Sequence, residues 1–372
     1  MFFSHLHAQN RSHEPCDDDH INKLSLLDVS SKQALKHQEQ AFLLKRVAKS
    51  HNSKLSVNYV PLKVHIIRDA DGFGGLSKLS IERAIDELNF IFKAAYINFY
   101  LFEDIDYIND DNLNHFKKGN ENPLFDKYEE GVLNLYLADE VINASGSNIC
   151  GYNLDNIDKN IIIMKNSCAV NGSSMAHEIG HFFSLLHTHG NANGKFPELV
   201  DGSNCDTNGD GICDTPADPG LSYDTVDENC EYIGQAKDAN GDFYQPDTGN
   251  VMSYSRKSCR THFTLQQYGR MYAYYVTVKE NIFNAVEVST TTTEGLENIV
   301  IYPNPVANGQ IHIKRDQFLN ETLYFEVANL SGQVLFKGIT SNDLINIEKL
   351  SSGSYFLTLS NAETRITKRF VR

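Results

Sequence analysis

Val60, Leu62, Val64 and Ile66 alternate along the stretch VNYVPLKVHIIRD. A two-residue apolar period predicts a half-buried strand. The next apolar run has a different period. In LSIERAIDELNFIFKAA, residues Ile81, Ala84, Ile85, Leu88, Ile91 and Phe92 recur three and four apart, which predicts a helix with one face in a core. INFYLF, VLNLYLA and NIIIMK read as further strands, and Ser174–Leu186 as a second long helix. Residues 9–52 are polar and charged, with a helical pattern around SKQALKHQEQAFLLKRVAKS. Residues 190–250 are rich in Gly, Asp, Asn and Pro and read as an irregular loop region.

The pattern changes after STTTTEG, a low-complexity linker at 289–295. Short alternating strands follow in IVIYPNP, QIHIK, LYFEVANLSGQVLF, GSYFLTLS and TKRFVR. Turn signals separate them at Asn308-Gly309, Ser331-Gly332 and Ser352-Gly353, which predicts a small β-sandwich. The chain therefore reads as α+β. The expected order is a leader over 1–52, a main domain over 53–288, a linker over 289–296 and an all-β tail over 297–372.

Composition narrows the class. A length of 372 residues is too long for one ordinary domain, and 41% hydrophobic residues are enough to build a core. No apolar run is long enough to span a membrane. The net charge of −15 argues against a nucleic-acid partner, which needs clustered Lys and Arg. Residues 201–250 hold twelve Asp and Glu against one Lys, so most of that charge is local. Six of the seven cysteines (Cys150, Cys168, Cys205, Cys213, Cys230 and Cys259) lie in one region with no C-x-x-C pair. That favours three disulfides and an oxidising compartment over a zinc ribbon, with fifteen connectivities open. MFFSHLHAQ is too short for a full export signal and is expected to be the tail of one, with Ala8 at the cleavage side.

The candidate chemistry sits in MAHEIGHFFSLLHTHG, residues 175–190. His177 and His181 are four apart, so on a helix both offer a ring nitrogen to one ion. Glu178 follows the first ligand, an offset that suits a base beside the metal. A catalytic zinc takes three protein ligands and keeps one open position. His187 supplies the third ligand if the chain turns after the helix; His189 is the reserve.

HEIGHFFSLLH resembles the long zinc signature of the metzincin metallopeptidases, and with Thr188 after the third histidine it most resembles the pappalysin family. NVMSYS is similar to the family's Met-turn, with Met252 under the metal and Tyr254 two residues on; DGICDTPADP resembles a segment between the two. The resemblance covers roughly residues 55–285. It implies a twisted mixed sheet, a backing helix, an active-site helix and an irregular C-terminal subdomain. It also implies a zinc endopeptidase in which a zinc-activated water attacks a peptide carbonyl. Glu178 is then the general base and acid, and Tyr254 hydrogen-bonds the tetrahedral intermediate. One position departs from the pattern: Ser184 stands where the family has Gly. Some relatives prefer basic residues at the cleavage site. Arg256, Lys257 and Ser258 precede Cys259 with no carboxylate among them, so that preference is not carried over.

The resemblance implies further features. Structural calcium is expected near Asp206, Asn208, Asp210 and Asp214, whose oxygens have ligand spacing, and DANGD repeats the pattern; the alternative is a solvated acidic loop. The implied disulfides are Cys205–Cys230 and Cys213–Cys259, leaving Cys150–Cys168. Cys16 is a candidate fourth zinc ligand in a latent zymogen, as in relatives with a cysteine switch. The tail resembles the sorting domain of the type IX (Por) secretion system, which implies that machinery as a partner and the outer surface or medium as destination. The expected product is a secreted monomer acting on protein or peptide substrates. The competing reading is a surface adhesin whose zinc and calcium only hold the fold; such a protein has no need of Glu178.

Overall fold

The computed structural model describes residues 23–47, 55, 57–154, 159–190, 197–283, 299–306, 309–314, 323–329, 333–340, 343–360 and 365–372. The chain divides into two compact units, residues 1–286 and 287–372. The expected linker and Cys16 lie outside the described residues.

Among the described residues of the first unit, helix α1 (Val29–Val47) comes after a 3-10 turn (Lys23–Leu26). It is followed by β1 (Asn58–Arg68), α2 (Lys78–Phe92), β2 (Ile97–Leu101), β3 (Asp106–Asn109), the short α3 (Asp111–Asn114) and β4 (His115–Lys117). Then come β5 (Leu133–Ala138), β6 (Glu140–Ile142), β7 (Gly151–Asn153), β8 (Ile161–Lys165), a one-turn α4 (Asn166–Ala169), α5 (Ser174–Phe182) and α6 (Leu265–Tyr274). The main sheet runs β2-β1-β5-β8-β7, with β3 continuing the β2 edge of β1. All its pairings are parallel except β7 on β8. The sheet is mixed, as the resemblance implies.

Both faces of the sheet are covered, so β5 and β8 are buried along nearly their whole length, as expected of parallel strands. Val60, Leu62, Val64 and Ile66 of β1 pack into one cluster with Ile81, Ala84, Ile85, Leu88 and Phe92 of α2. Ile179, Phe182 and Phe183 of the active-site segment join the same cluster. Ser77 caps α2 by accepting the amide of Ser80. On the opposite face Ile67, Tyr136, Ile161 and Ile163 form a second cluster with Phe116 and Leu124.

The polar segment expected as a leader contains α1, which packs on the core of this unit. Phe42 is fully buried, with its ring 5.3 Å from that of Tyr272 and 6.2 Å from that of Tyr96. Gly269 makes room for it: a Cβ there would stand 3.2 Å from the Phe42 ring. Glu39 pairs with Arg270.

The described residues of the second unit form strands and turns only. Strands β9 (Val300–Tyr302), β10 (Gln310–Lys314) and β13 (Leu344–Asn346) make one antiparallel sheet in the order β13-β10-β9. Strands β11 (Tyr324–Ala328), β12 (Val334–Ile339), β14 (Ser354–Ser360) and β15 (Arg365–Val371) make another, in the order β12-β11-β14-β15. Ile311, Ile313 and Ile345 of the first sheet pack with Val327, Leu357, Leu359 and Phe370 of the second. The expected sandwich is present. The periodicity did not show β13, a three-residue strand too short to display one.

Candidate metal centre and active site

Helix α5 is buried at every position. It starts where Asn171 Oδ1 accepts the amide of Ser174 and the carbonyl of Ser173 accepts the amide of His177. It ends four residues sooner than the apolar pattern implies. Ser184 takes φ of +70°, Leu185 N donates to Gly180 O at 3.0 Å, and Ser184 N donates to His181 O at 3.0 Å. This pair of bonds is the helix-ending motif whose left-handed position normally takes Gly. The reversal returns the chain so that His187 faces the helix.

The three histidines meet. His181 Nε2 lies 3.1 Å from His177 Nε2 and 3.0 Å from His187 Nε2. His177 Nδ1 lies 2.7 Å from the carbonyl of Val251, and His181 Nδ1 lies 2.8 Å from that of Leu185. A carbonyl only accepts, so both Nδ1 atoms carry hydrogen and both Nε2 atoms present lone pairs. Lone pairs this close repel unless a cation sits among them, so the donor set fits zinc. Burial holds His177 well below the usual imidazole range, aided by His181, Arg260 and His187. Burial also pushes His181 down to about 3. Neutral imidazole is the form that ligates. Among the described residues this is the one group of three His, Cys, Asp or Glu side chains with the closeness of a metal site. His189 stands outside it, its ring stacked 5.1 Å from that of His187.

The expected Met-turn forms the floor. Asn250 Oδ1 accepts Met252 N, and the carbonyl of Met252 accepts Thr188 N, tying the turn to the returning chain. Met252 is fully buried against Gly180, where a Cβ would stand 2.5 Å from its sulfur. The glycine inside the histidine motif is therefore a packing requirement. Tyr254 is half-buried, its ring 4.5 Å from that of His187 and 4.8 Å from that of His189. Glu178 is fully buried in the same helix.

Several residues that the sequence did not single out complete the site. Asn153, on edge strand β7, donates from Nδ2 to the carbonyl of Glu178 at 2.8 Å and lies 3.4 Å from Glu178 Oε2. No spacing rule links positions 25 residues apart, so only the β7–α5 contact identifies it. Asp218 of DGICDTPADP accepts the hydroxyl of Thr188 at 2.5 Å and the amides of Gly220 and Leu221. It thus braces the residue after His187. Arg260 is buried behind His177.

One expectation is corrected. The implied interleaved bridges Cys205–Cys230 and Cys213–Cys259 are replaced by Cys205–Cys213 and Cys230–Cys259. Gly209 and Gly211, both at positive φ, fold the loop between 205 and 213 back on itself, so those Cα atoms stand 5.0 Å apart. Cys230 then meets Cys259 with Cα atoms 5.5 Å apart. Both separations suit a disulfide. Cys150–Cys168 forms as expected.

Among the described residues, Asp206, Asp210 and Asp214 of the proposed calcium ligands do not form a close group of three. Asp206 is exposed, and Asn208 takes the hydroxyl of Thr207. Asp214 accepts the hydroxyl of Thr264 and the amide of Gln266 at the start of α6. Asp210 alone is buried, accepting Ile212 N and Thr215 Oγ1 on Oδ1. Its Oδ2 and Oε2 of buried Glu198 have no hydrogen-bond partner among the described residues. In DANGD, Asp238 accepts the amides of Asn240 and Asp242 and so closes a turn.

Residues 125–275 match the family described as pregnancy-associated plasma protein-A, a peptidase family. Residues 300–372 match the secretion system C-terminal sorting domain. Two extracellular metalloproteases of Colletotrichum graminicola are 35% and 33% identical over 104 residues, 28% of this chain in each case. Those matches span 31% and 30% of the relatives, so the likeness covers about a third of their length. A promirolysin mutant of Tannerella forsythia aligns over 73% of this chain and 97% of its own, at 17% identity and a TM-score of 0.47. The chain carries a metallopeptidase-type domain built around a histidine triad. More particularly, residues 125–275 resemble a pappalysin-type peptidase domain and residues 300–372 a secretion-system sorting domain.

Proposed function

We propose that this chain is a secreted zinc endopeptidase, and that His177, His181 and His187 hold the metal. The observation that carries the reading is the convergence of three Nε2 atoms, with the buried Glu178 next to His177 in the same helix. Zinc, when bound there, supplies a Lewis acid that makes water acidic enough to ionise near neutral pH. Glu178 takes the proton of the attacking water and returns it to the leaving amine. Asn153 holds the backbone of Glu178 and limits the swing of its carboxylate. Tyr254, on the side of His187 and His189, donates its hydroxyl to the oxygen that gains charge.

Two further parts complete the proposal. Cys16 keeps the exported chain latent by occupying the fourth zinc position, and the C-terminal unit directs export through the type IX machinery. Calcium binds between Asp210 and Glu198, whose unpartnered buried oxygens suit a hard cation; the Thr215 hydroxyl and the carbonyl of Ile212 stand next to Asp210. The reading is tested by metal analysis of the purified chain, together with cleavage of an unfolded protein. One zinc per chain and cleavage that stops on chelation are expected. A chain with no zinc, or cleavage indifferent to chelation, would overturn it.

A further inference from the structure

Arg260 is a buried cation, 6% exposed, set behind the first histidine of the triad. Its Nη1 lies 3.4 Å from His177 Nδ1 and donates to the carbonyl of Ser253 at 3.3 Å. Its Nη2 donates to Ser173 Oγ at 3.2 Å and to Ser174 Oγ at 3.4 Å. One side chain thus joins the Met-turn, the start of α5 and the ring of His177.

The contact with His177 is not an ordinary hydrogen bond. Nδ1 already carries its hydrogen toward Val251 O at 2.7 Å. Nη1 therefore faces an N–H, and donor meets donor. What passes between the two groups is charge. A carbonyl or carboxylate behind a ligating imidazole raises its donor strength. A guanidinium in that place withdraws electron density, and in a buried site its field is weakly screened. The carbonyl of Val251 and the cation of Arg260 thus act on the same ring with opposite sign. The Ser173, Ser174 and Ser253 oxygens fix the guanidinium where it acts, since an arginine is charged at every accessible pH.

We propose that Arg260 is a positioning residue that also tunes the metal: it fixes His177 from behind and weakens its donation, so that bound zinc is held less tightly and is more electrophilic. The inference rests on the zinc peptidase reading above. A residue acting only as a brace has the opposite signature, because loosening the ligand cage lowers affinity.

The test compares wild type with Arg260→Gln, Arg260→Lys and Ser173→Asp, each checked for folding by thermal melting. Zinc affinity is measured on the metal-free full chain by competition with a chromophoric chelator, and kcat and KM on a peptide substrate. Arg260→Gln is expected to bind zinc about tenfold more tightly, with lower kcat and KM within about twofold of wild type. Arg260→Lys keeps the charge and is expected to return both quantities toward wild type. Ser173→Asp sets a carboxylate against Nη2 while leaving Arg260 in place, and is expected to shift affinity and kcat in the same direction as the glutamine. Weaker zinc binding in Arg260→Gln, with no recovery in the lysine variant, would reduce Arg260 to a brace. If Arg260→Gln does not fold, Ser173→Asp decides, and unchanged or weaker zinc binding in it overturns the proposal. A wild type that binds no zinc at all would overturn the peptidase reading itself, and this inference with it.

Discussion

The amide of Leu185 donates to the carbonyl of Gly180 at 3.0 Å, closing a helix end over a Ser184 held at φ of +70°. That reversal is what brings His187 back to His177 and His181. The left-handed conformation strains any residue with a Cβ, and Ser184 is also buried with no hydrogen-bond partner for its Oγ among the described residues.

Ser184→Gly is therefore expected to stabilise the first unit by about 1 kcal/mol, since the turn exists already and only the strain is removed. In a domain of this size that raises Tm by about 2–4 °C. Differential scanning calorimetry checks it. A lower Tm would mean that the serine hydroxyl contributes more than the strain takes away.

Much of this site was legible in the sequence because its parts are local. His177 and His181 follow from one helical turn, His187 from a fixed spacing, and Met252 and Tyr254 from a short motif. The β1 and α2 faces were legible for the same reason: Val64 and Ile85 obey periods of two and of three or four. What the sequence hid depends on how distant pieces close. Asn153 reaches Glu178 across 25 positions. Two bridges were exchanged because the glycine turns at 209 and 211 bring Cys213 back to Cys205. Asp214 has calcium-ligand spacing but serves instead as acceptor for Thr264 and Gln266. Acidic spacing alone did not tell a metal ligand from a helix cap.

The calcium proposal has a pH signature. Burial, with Asp218 nearby, pushes Glu198 up to about 7 from a usual 4.5. Burial also holds Asp210 well above the usual carboxylate range. Between these values the folded chain keeps protons that the unfolded chain releases. In calcium-free solution stability should therefore fall as pH rises above about 4.5, through about 7 for Glu198 and through the raised range of Asp210. A bound cation takes the place of the protons. At pH 8, with zinc saturating, added calcium should raise Tm, and Glu198→Gln should lose most of that response. A Tm indifferent to calcium at every pH would sink the proposal.

Latency by Cys16 predicts an inactive uncut chain that Cys16→Ala activates without cleavage, because the sulfur no longer fills the open zinc position. Side-by-side assay of the two uncut proteins, with intact mass measured before and after, checks it. Equal activity would remove the cysteine from the mechanism.

In the proposed mechanism His177, His181 and His187 hold zinc while Glu178 moves the proton. Glu178→Gln separates the two roles, because the ligands stay and the base goes. Turnover and bound zinc, measured on the same preparation of wild type and variant, test it most directly. One zinc per chain in both proteins and a loss of about 100-fold or more in kcat for the variant are expected. Wild-type cleavage by a zinc-loaded Glu178→Gln would contradict the mechanism.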